Sequence, residues 1–235
     1  MPVSVILLLR HGQASFGAAN YDVLSPKGFR QAEVLGRSLA ARGVHLDAAV
    51  SGTLARQRDT ARTTLAAAGA GDLAAQVDPR WDEYDHDGVY AGFAADQLTA
   101  DQLSTGAGPV DPADASRAFQ DRLEVALASW SAGVERTGVR PEWSVFSARV
   151  AAATDAVVAG LGSGQTVAVF TSGGVISAVC ARLLALPPAA VVAFNRVTVN
   201  AAITKVVCGR RGATLVSFND HAHFEGPDAT LLTYR

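Results

Sequence analysis

Several residue types and patterns are scarce in this sequence of 235 residues, and each scarcity excludes a class of protein. Only two cysteines are present, Cys180 and Cys208, and their apolar surroundings indicate core positions rather than a disulfide framework. Charged residues make up 18% of the chain and hydrophobic residues 49%, which excludes an intrinsically disordered protein. No uninterrupted apolar stretch reaches ~18 residues, so no transmembrane helix is predicted.

An excess of positive charge is also missing. The chain has 20 Lys and Arg against 22 Asp and Glu, a formal net charge of −2, which disfavours a nucleic-acid partner. Lys27 and Lys205 are the only lysines, so the other 18 basic residues are arginines, whose planar fork suits anions. The first residues carry no charged segment, and their apolar run stops at Arg10, unlike a signal peptide. We therefore expect a cytoplasmic protein with no membrane partner.

Strand and helix signals alternate in the first part of the chain. Val3 to Leu9 is an apolar run with β-branched members, which is typical of a strand covered on both faces in a parallel sheet. Ser25-Pro26 predicts a helix start, and Gly43 predicts its end. A second strand over residues 44–50 and a helix over residues 53–68 follow. This alternation predicts an α/β fold with a mostly parallel, doubly wound sheet.

The second part of the chain is expected to complete one domain, residues 1–235. Residues 82–141 lack strand signals and predict a mostly helical excursion over the active site. Sheet signals return at residues 166–171 and precede Ser172-Gly173-Gly174 and a helix to about residue 186. Residues 200–208 and 213–218 predict a closing pair of strands.

Three loops leave the carboxyl ends of predicted strands: Arg10-His11-Gly12, residues 51–56 and Ser172-Gly173-Gly174. Ligands of open α/β sheets bind at this edge. The two glycines before a helix leave backbone N–H groups open to an anion. The sequence therefore predicts a pocket for phosphate or a similar anion, with His11 at its centre.

These residues carry a family resemblance. The run Leu8-Leu9-Arg10-His11-Gly12 resembles the RHG signature of the histidine phosphatase superfamily, the phosphoglycerate mutase-like proteins. Four more segments follow the family's pattern in the same order along most of the chain: residues 24–32 (L-[ST]-x-x-G-x-x-Q-A), 54–61 (L-x-R-[AT]-x-x-T-A), 81–83 with an acidic residue, and 219–224, similar to an N-D-x-x-H-L ending.

The resemblance implies a three-layer α/β/α sandwich and a phosphatase that needs neither a metal nor another cofactor. His11 would attack phosphorus as a neutral imidazole and form a phosphohistidine. Arg10 and Arg56 would clamp the phosphoryl oxygens. Glu83 would act as general acid and then as general base. The partners implied are a small phosphorylated substrate and inorganic phosphate as product. Further phosphate-binding candidates are Gln13, Ser15, Ser172 and Gly173.

Two departures from the family's pattern bear on activity. Ser172 stands where the family has a second histidine, and a hydroxyl cannot carry positive charge there. His86 is the candidate substitute for that histidine. Ala14 stands where the family often has Ser or Thr, and Ser15 is the candidate substitute. The loss at Ser172 leaves two alternatives to a phosphatase open: a phospholigand-binding protein with little turnover, and a phosphoglycerate mutase-type phosphotransferase.

Several assignments stay open at the level of sequence. Arg58 and Arg62 share the predicted helix of Arg56. The acidic run around Glu83 offers three other carboxylates: Asp82, Asp85 and Asp87. That run with His86, or the pair His221 and His223, is an alternative metal site, but neither has a recognised ligand spacing. The substrate and the oligomeric state are not indicated.

Overall fold

The computed structural model describes residues 3–15, 22–91, 93, 122, 124–133 and 142–234. Within these residues a single sheet has the strand order β3-β2-β4-β1-β5-β6. Its strands are β1 (Ser4–Arg10), β2 (Ala48–Ser51), β3 (Gln76–Val77), β4 (Thr166–Thr171), β5 (Ile203–Gly209) and β6 (Gly212–Asp220). The first four run parallel, while β5 is antiparallel to both β1 and β6. The predicted closing strands form this antiparallel hairpin.

Strand β1 lies at the centre of the sheet because its side chains are apolar on both faces. Ile6 and Leu8 belong to one buried cluster, and Leu7 and Leu9 belong to another. Successive side chains of a strand point to opposite faces, so each cluster lies on one side of the sheet. Both clusters need a covering layer of helices to exclude water.

Helices provide that covering on both faces. They are α1 (Pro26–Ala41), α2 (Ala55–Ala67), α3 (Trp143–Gly160), α4 (Gly173–Leu183) and α5 (Ala190–Val197). Leu35 and Leu65, from α1 and α2, pack in the cluster of Leu7 and Leu9. Residues of α3 and α4 pack in the cluster of Ile6 and Leu8. The result is the expected α/β fold, a three-layer α/β/α sandwich with a mixed six-stranded sheet within the described residues.

Local signals set the ends of these elements. Ser25 caps α1, and its Oγ accepts a hydrogen bond from Gly28 N at 3.0 Å. Strand β3 was not predicted, because two exposed residues give no periodicity. In the predicted excursion, residues 86–91 and 124–131 are helical, while residues 94–121 and 134–141 lie outside the described part. No helix in the described residues is long and apolar enough to cross a membrane.

Candidate active site

The carboxyl ends of β1 and β4 lie side by side and bring two of the predicted loops together. Arg10 pairs with Thr171 in the parallel register, and His11 N donates to Thr171 O at 2.9 Å. The carbonyl oxygen of His11 accepts from Asn200 Nδ2 at 3.1 Å and from Ala201 N at 3.3 Å. The backbone of His11 is therefore fixed by the end of β4 on one side and by the turn before β5 on the other.

The His11 imidazole is buried and has a defined tautomer. Its Nδ1 lies 2.7 Å from Gly12 O, a distance at which Nδ1 carries the hydrogen and donates it. Its Nε2 accepts from Arg56 Nε at 3.3 Å. Burial lowers the pKa of His11 well below its usual value, and the positive charges of Arg56 and Arg10 lower this pKa further. The ring is thus held neutral, with the lone pair on Nε2.

Close backbone contacts hold the loop after His11. A Cβ on Gly12 would lie 2.4 Å from Gly28 O, and a Cβ on Gly28 would lie 2.2 Å from Gln13 O. Gly12 N donates to Thr60 Oγ1 at 3.0 Å. The loop therefore sits between the start of α1 and the side of α2, and only glycine allows that approach.

Arg56 lies in the first turn of α2, and a carboxylate from another loop orients it. Its Nη1 donates to Asp22 Oδ1 at 2.8 Å, and Ala55 N donates to Asp22 Oδ2 at 2.8 Å. The residue before the helix, Leu54, has no capping side chain, so Asp22 supplies the cap across 33 residues of sequence. Asp22 carries no local sequence signal for this role, and sequence reasoning missed it.

Arg10 is held by contacts different from those of Arg56. Its Nη1 donates to Tyr234 O at 2.7 Å and also to Thr198 O. Its Nε would lie 3.5 Å from a Cβ on Gly173. The guanidinium of Arg10 is therefore tied to the main chain beside the Gly173-Gly174 turn, within electrostatic range of His11.

Glu83 reaches the same turn. Its Oε2 accepts from Gly174 N at 3.0 Å, and its Oε1 accepts from Tyr84 N at 3.2 Å. A Cβ on Gly174 would lie 2.4 Å from Glu83 Oε1, so the missing side chain makes room for the carboxylate. Two neighbouring carboxylates have other partners: Asp82 accepts from Thr53 N, and Asp85 from Gly88 N. This geometry favours Glu83 among the acidic candidates.

Ser172 is fully buried beneath the turn. Its Oγ accepts from Gln57 Nε2 at 2.9 Å, and the same nitrogen donates to Trp81 O at 3.1 Å. Gln57 is also fully buried, and a Cβ on Gly52 would lie 2.0 Å from its Oε1. The sequence contains no local signal that Gln57 is buried beside Ser172, so Gln57 was not identified from the sequence. The predicted phosphate contact of Ser172 stays a prediction.

Gln13 and Ser15 secure the loop to its surroundings. Gln13 N donates to Gln31 Oε1 at 2.7 Å, and Gln13 Oε1 accepts from Ser25 Oγ at 3.1 Å. Ser15 N donates to Val23 O at 2.8 Å. These contacts give both residues a structural role, and their phosphate-binding role stays a prediction.

The remaining alternatives have partners other than the His11 ring. Arg58 is exposed, and Arg62, with a side chain 73% exposed, pairs with Asp59. His221 Nδ1 lies 2.6 Å from Asn219 O, whereas His223 Nε2 lies 3.1 Å from Ala201 O, so the two rings have separate partners. In the described part of the chain, no three His, Cys, Asp or Glu side chains are grouped to hold a metal ion.

The fold and the site together define an α/β protein with a neutral imidazole and two arginines at the carboxyl edge of its sheet. The family model of the histidine phosphatase superfamily (branch 1) matches residues 6–221. The chain belongs to this superfamily, as the resemblance implied, and phosphoryl transfer is its general activity. No protein of curated function matches the sequence.

Solved structures share the fold. One is a phosphoglycerate mutase from Bacillus anthracis, with a TM-score of 0.62 and 19% identity over 94% of this chain and 95% of that one. Another is a mycobacterial glucosyl-3-phosphoglycerate phosphatase, with a TM-score of 0.61 and 22% identity over 92% and 98%. A third is a mutant phosphoserine phosphatase from Entamoeba histolytica in complex with phosphoserine, with a TM-score of 0.56 and 18% identity over 94% and 98%.

Proposed function

We propose that this protein is a metal-independent phosphatase that hydrolyses small phosphate monoesters through a phosphohistidine at His11. The observation that carries the proposal is the state of the His11 ring. Its Nδ1 hydrogen bond to Gly12 O and its lowered pKa leave a lone pair on Nε2 at neutral pH. A neutral imidazole within electrostatic range of two arginines is a nucleophile suited to a phosphorus atom bearing anionic oxygens.

In the first step, the lone pair of His11 Nε2 forms a bond to phosphorus. The bond between phosphorus and the ester oxygen breaks, and its electron pair goes to that oxygen. Glu83, protonated in the substrate complex, transfers its proton to the leaving oxygen, so an alcohol departs and Glu83 becomes a carboxylate. Arg10 and Arg56 stabilise the negative charge on the three other oxygens during transfer.

In the second step, water attacks phosphorus on the phosphoenzyme. The Glu83 carboxylate takes a proton from that water. The bond between phosphorus and His11 Nε2 breaks, and its electron pair returns to the imidazole. Inorganic phosphate leaves, and both residues regain their starting protonation states. Neither step requires a metal ion or another cofactor, because the two guanidinium groups supply the positive charge.

Small phosphomonoesters are the proposed substrate class. The structurally similar proteins named above act on phosphoglycerate, glucosyl-3-phosphoglycerate or phosphoserine, all phosphate compounds of low mass. Their identity to this chain is 18–22%, so they support the phosphoryl group as the shared feature and not a particular alcohol.

The test is turnover of 4-nitrophenyl phosphate in the presence of a chelator. We expect His11→Ala to abolish turnover and His45→Ala to leave it unchanged, because the His45 side chain is 86% exposed. The wild type should also accumulate a phosphoenzyme that is labile in acid and stable in alkali. Equal turnover by the wild type and His11→Ala would contradict the proposal.

The burial of Ser172 supports a second candidate, a phospholigand-binding protein with little turnover. Its hydroxyl is held by Gln57, so this position offers no cation to the phosphoryl group. This alternative predicts that inorganic phosphate raises the midpoint of thermal unfolding while no phosphoenzyme forms. The mutase alternative predicts instead that the phosphoryl group is transferred to a second phosphorylated alcohol faster than to water.

A further inference from the structure

Residues 81–86 carry Glu83 and end at His86, and hydrogen bonds hold both ends of this segment. At one end, Trp81 O accepts from Gln57 Nε2 at 3.1 Å and from Thr171 Oγ1 at 2.6 Å. At the other end, Asp85 Oδ1 accepts from Gly88 N at 3.0 Å and caps the helix of residues 86–91. His86 is therefore the first residue of a capped helix, at a fixed distance along the chain from Glu83.

Tyr84 restrains the ring of His86. The two ring centroids lie 4.6 Å apart at 52°. Tyr84 is itself buried, stands edge-on to Phe146 at 5.8 Å, and accepts from Asn195 Nδ2 through its hydroxyl at 3.3 Å. Because its aromatic neighbour is held on two sides, the half-buried imidazole has few rotamers open to it.

His86 shares the pocket with the groups proposed for catalysis. Burial lowers its pKa most, the charges of Arg56 and Arg10 lower the pKa as well, and the charges of Glu83 and Asp87 raise it. A charge on His86 would in turn lower the pKa of His11. His11, Arg10, Arg56 and the two carboxylates therefore lie within electrostatic range of His86. Tyr84, on which the His86 ring packs, borders the turn that Glu83 contacts, because a Cβ on Gly174 would lie 2.4 Å from Tyr84 Cε1.

We propose that His86 is a second catalytic imidazole, which donates an N–H to a non-bridging oxygen of the phosphoryl group as it moves to and from His11. This inference rests on the proposed function. The Ser172 hydroxyl is fixed to Gln57, whereas the His86 ring packs on Tyr84 and offers a nitrogen donor. A bound phosphate dianion favours protonation of His86, which makes this hydrogen bond charge-assisted. His86 keeps its proton throughout, and the leaving oxygen receives its proton from Glu83.

The role of His86 and the role of Glu83 can be distinguished by the leaving group of the substrate. An aryl oxygen such as that of 4-nitrophenyl phosphate departs as a stable anion, whereas an alkyl oxygen needs a proton. Glu83→Gln should therefore slow an alkyl phosphate more than an aryl phosphate. His86→Leu should lower kcat by ~10²–10³-fold on both, because it removes a donor to oxygens that every substrate has. A loss confined to alkyl phosphates would overturn the proposal and make His86 a proton donor to the leaving group.

A binding measurement tests His86 without turnover. Orthovanadate, which mimics the five-coordinate phosphoryl group, should bind His86→Leu and His86→Phe, whose side chains have no donor, at least tenfold more weakly than wild type. His45→Gln should bind it unchanged, and thermal unfolding should verify that all three variants are folded. Unchanged vanadate affinity in the folded His86 variants would overturn the inference. If the wild type turns over no substrate, the phosphatase proposal fails, while a vanadate loss confined to the His86 variants still supports His86 as a ligand of the phosphoryl group.

Discussion

Arg56 Nε donates its hydrogen to His11 Nε2 across 3.3 Å, so this hydrogen bond engages the lone pair proposed to attack phosphorus. The other end of the same guanidinium is held by Asp22 at 2.8 Å. An incoming phosphoryl group must replace His11 as the acceptor for Arg56 Nε. That exchange leaves the arginine beside the transferred oxygens and releases the nucleophile in the same event.

The first prediction concerns the pH dependence of activity. The lowered pKa of His11 keeps its ring neutral as the pH falls below 6.5, so the acid limb of kcat/KM due to His11 should lie well below that value. Arg56→Gln removes one cause of the lowered pKa. We expect the acid limb to move to higher pH and kcat to fall by ~10²–10³-fold.

Arg58→Gln is the matched control, since Arg58 is an exposed neighbour on the same helix. Profiles of kcat/KM against pH should coincide for Arg58→Gln and wild type. An acid limb that does not move in Arg56→Gln would show that Arg56 does not act on the protonation of His11.

The second prediction makes Asp22 a positioning residue. In Asp22→Asn, the amide oxygen can still accept from Ala55 N, but the charge-assisted bond to Arg56 is lost. Such a bond contributes ~1.5–3 kcal/mol, so kcat should fall by about 10- to 100-fold. KM should not rise, because removing a carboxylate makes the pocket less repulsive to an anion. Asp59→Asn, which breaks an exposed pair with Arg62, should change neither constant. A rise in KM with constant kcat would contradict this role.

The third prediction concerns restoration of the family's histidine at Ser172. The site is fully buried and Gln57 fills the neighbouring space, so Ser172→His should destabilise the fold by about 1–3 kcal/mol and should not raise kcat. Ser172→Ala adds no bulk and removes only the hydrogen bond from Gln57, so it should lower the free energy of unfolding by about 1 kcal/mol. Urea unfolding gives both values, and Ser144→His on an exposed position serves as control. A stable, faster Ser172→His enzyme would disprove this expectation.

The fourth prediction tests the backbone contact beneath the nucleophile. A Cβ at Gly28 would lie 2.2 Å from Gln13 O, so Gly28→Ala must push α1 away from the loop that follows His11. We expect a loss of at least about 1–3 kcal/mol in the free energy of unfolding together with a fall in kcat. Gly160→Ala, at the end of α3 with no atom within 4 Å of the new Cβ, should be neutral or slightly stabilising. Equal effects of the two substitutions would refute the steric explanation.

Sequence patterns were sufficient wherever a signal is local. The apolar run before Arg10 predicted β1, and Ser25-Pro26 predicted the start of α1 within one residue. The resemblance also identified the family correctly. Its motifs are short runs of consecutive residues, so they can be recognised before any tertiary contact is known. Each of these features depends on neighbours in the chain.

Contacts between distant segments could not be predicted in this way. Asp22 and Arg56 are 34 residues apart, and Gln57 and Ser172 are 115 apart. Polar residues of these types are common on surfaces, so their type alone does not distinguish a buried partner from a solvated side chain. The contact of Glu83 with Gly174 N likewise joins segments that are 91 residues apart.

The sequence by itself determined the α/β class, the central strand β1, the start of α1 and the family, because propensity and motif spacing are properties of consecutive residues. Only the tertiary structure decided the tautomer of His11, the burial of Ser172 and the contact of Glu83 with Gly174 N. Hydrogen-bond geometry and the removal of water arise when separate segments pack together, and these two effects set the protonation and reach of each side chain.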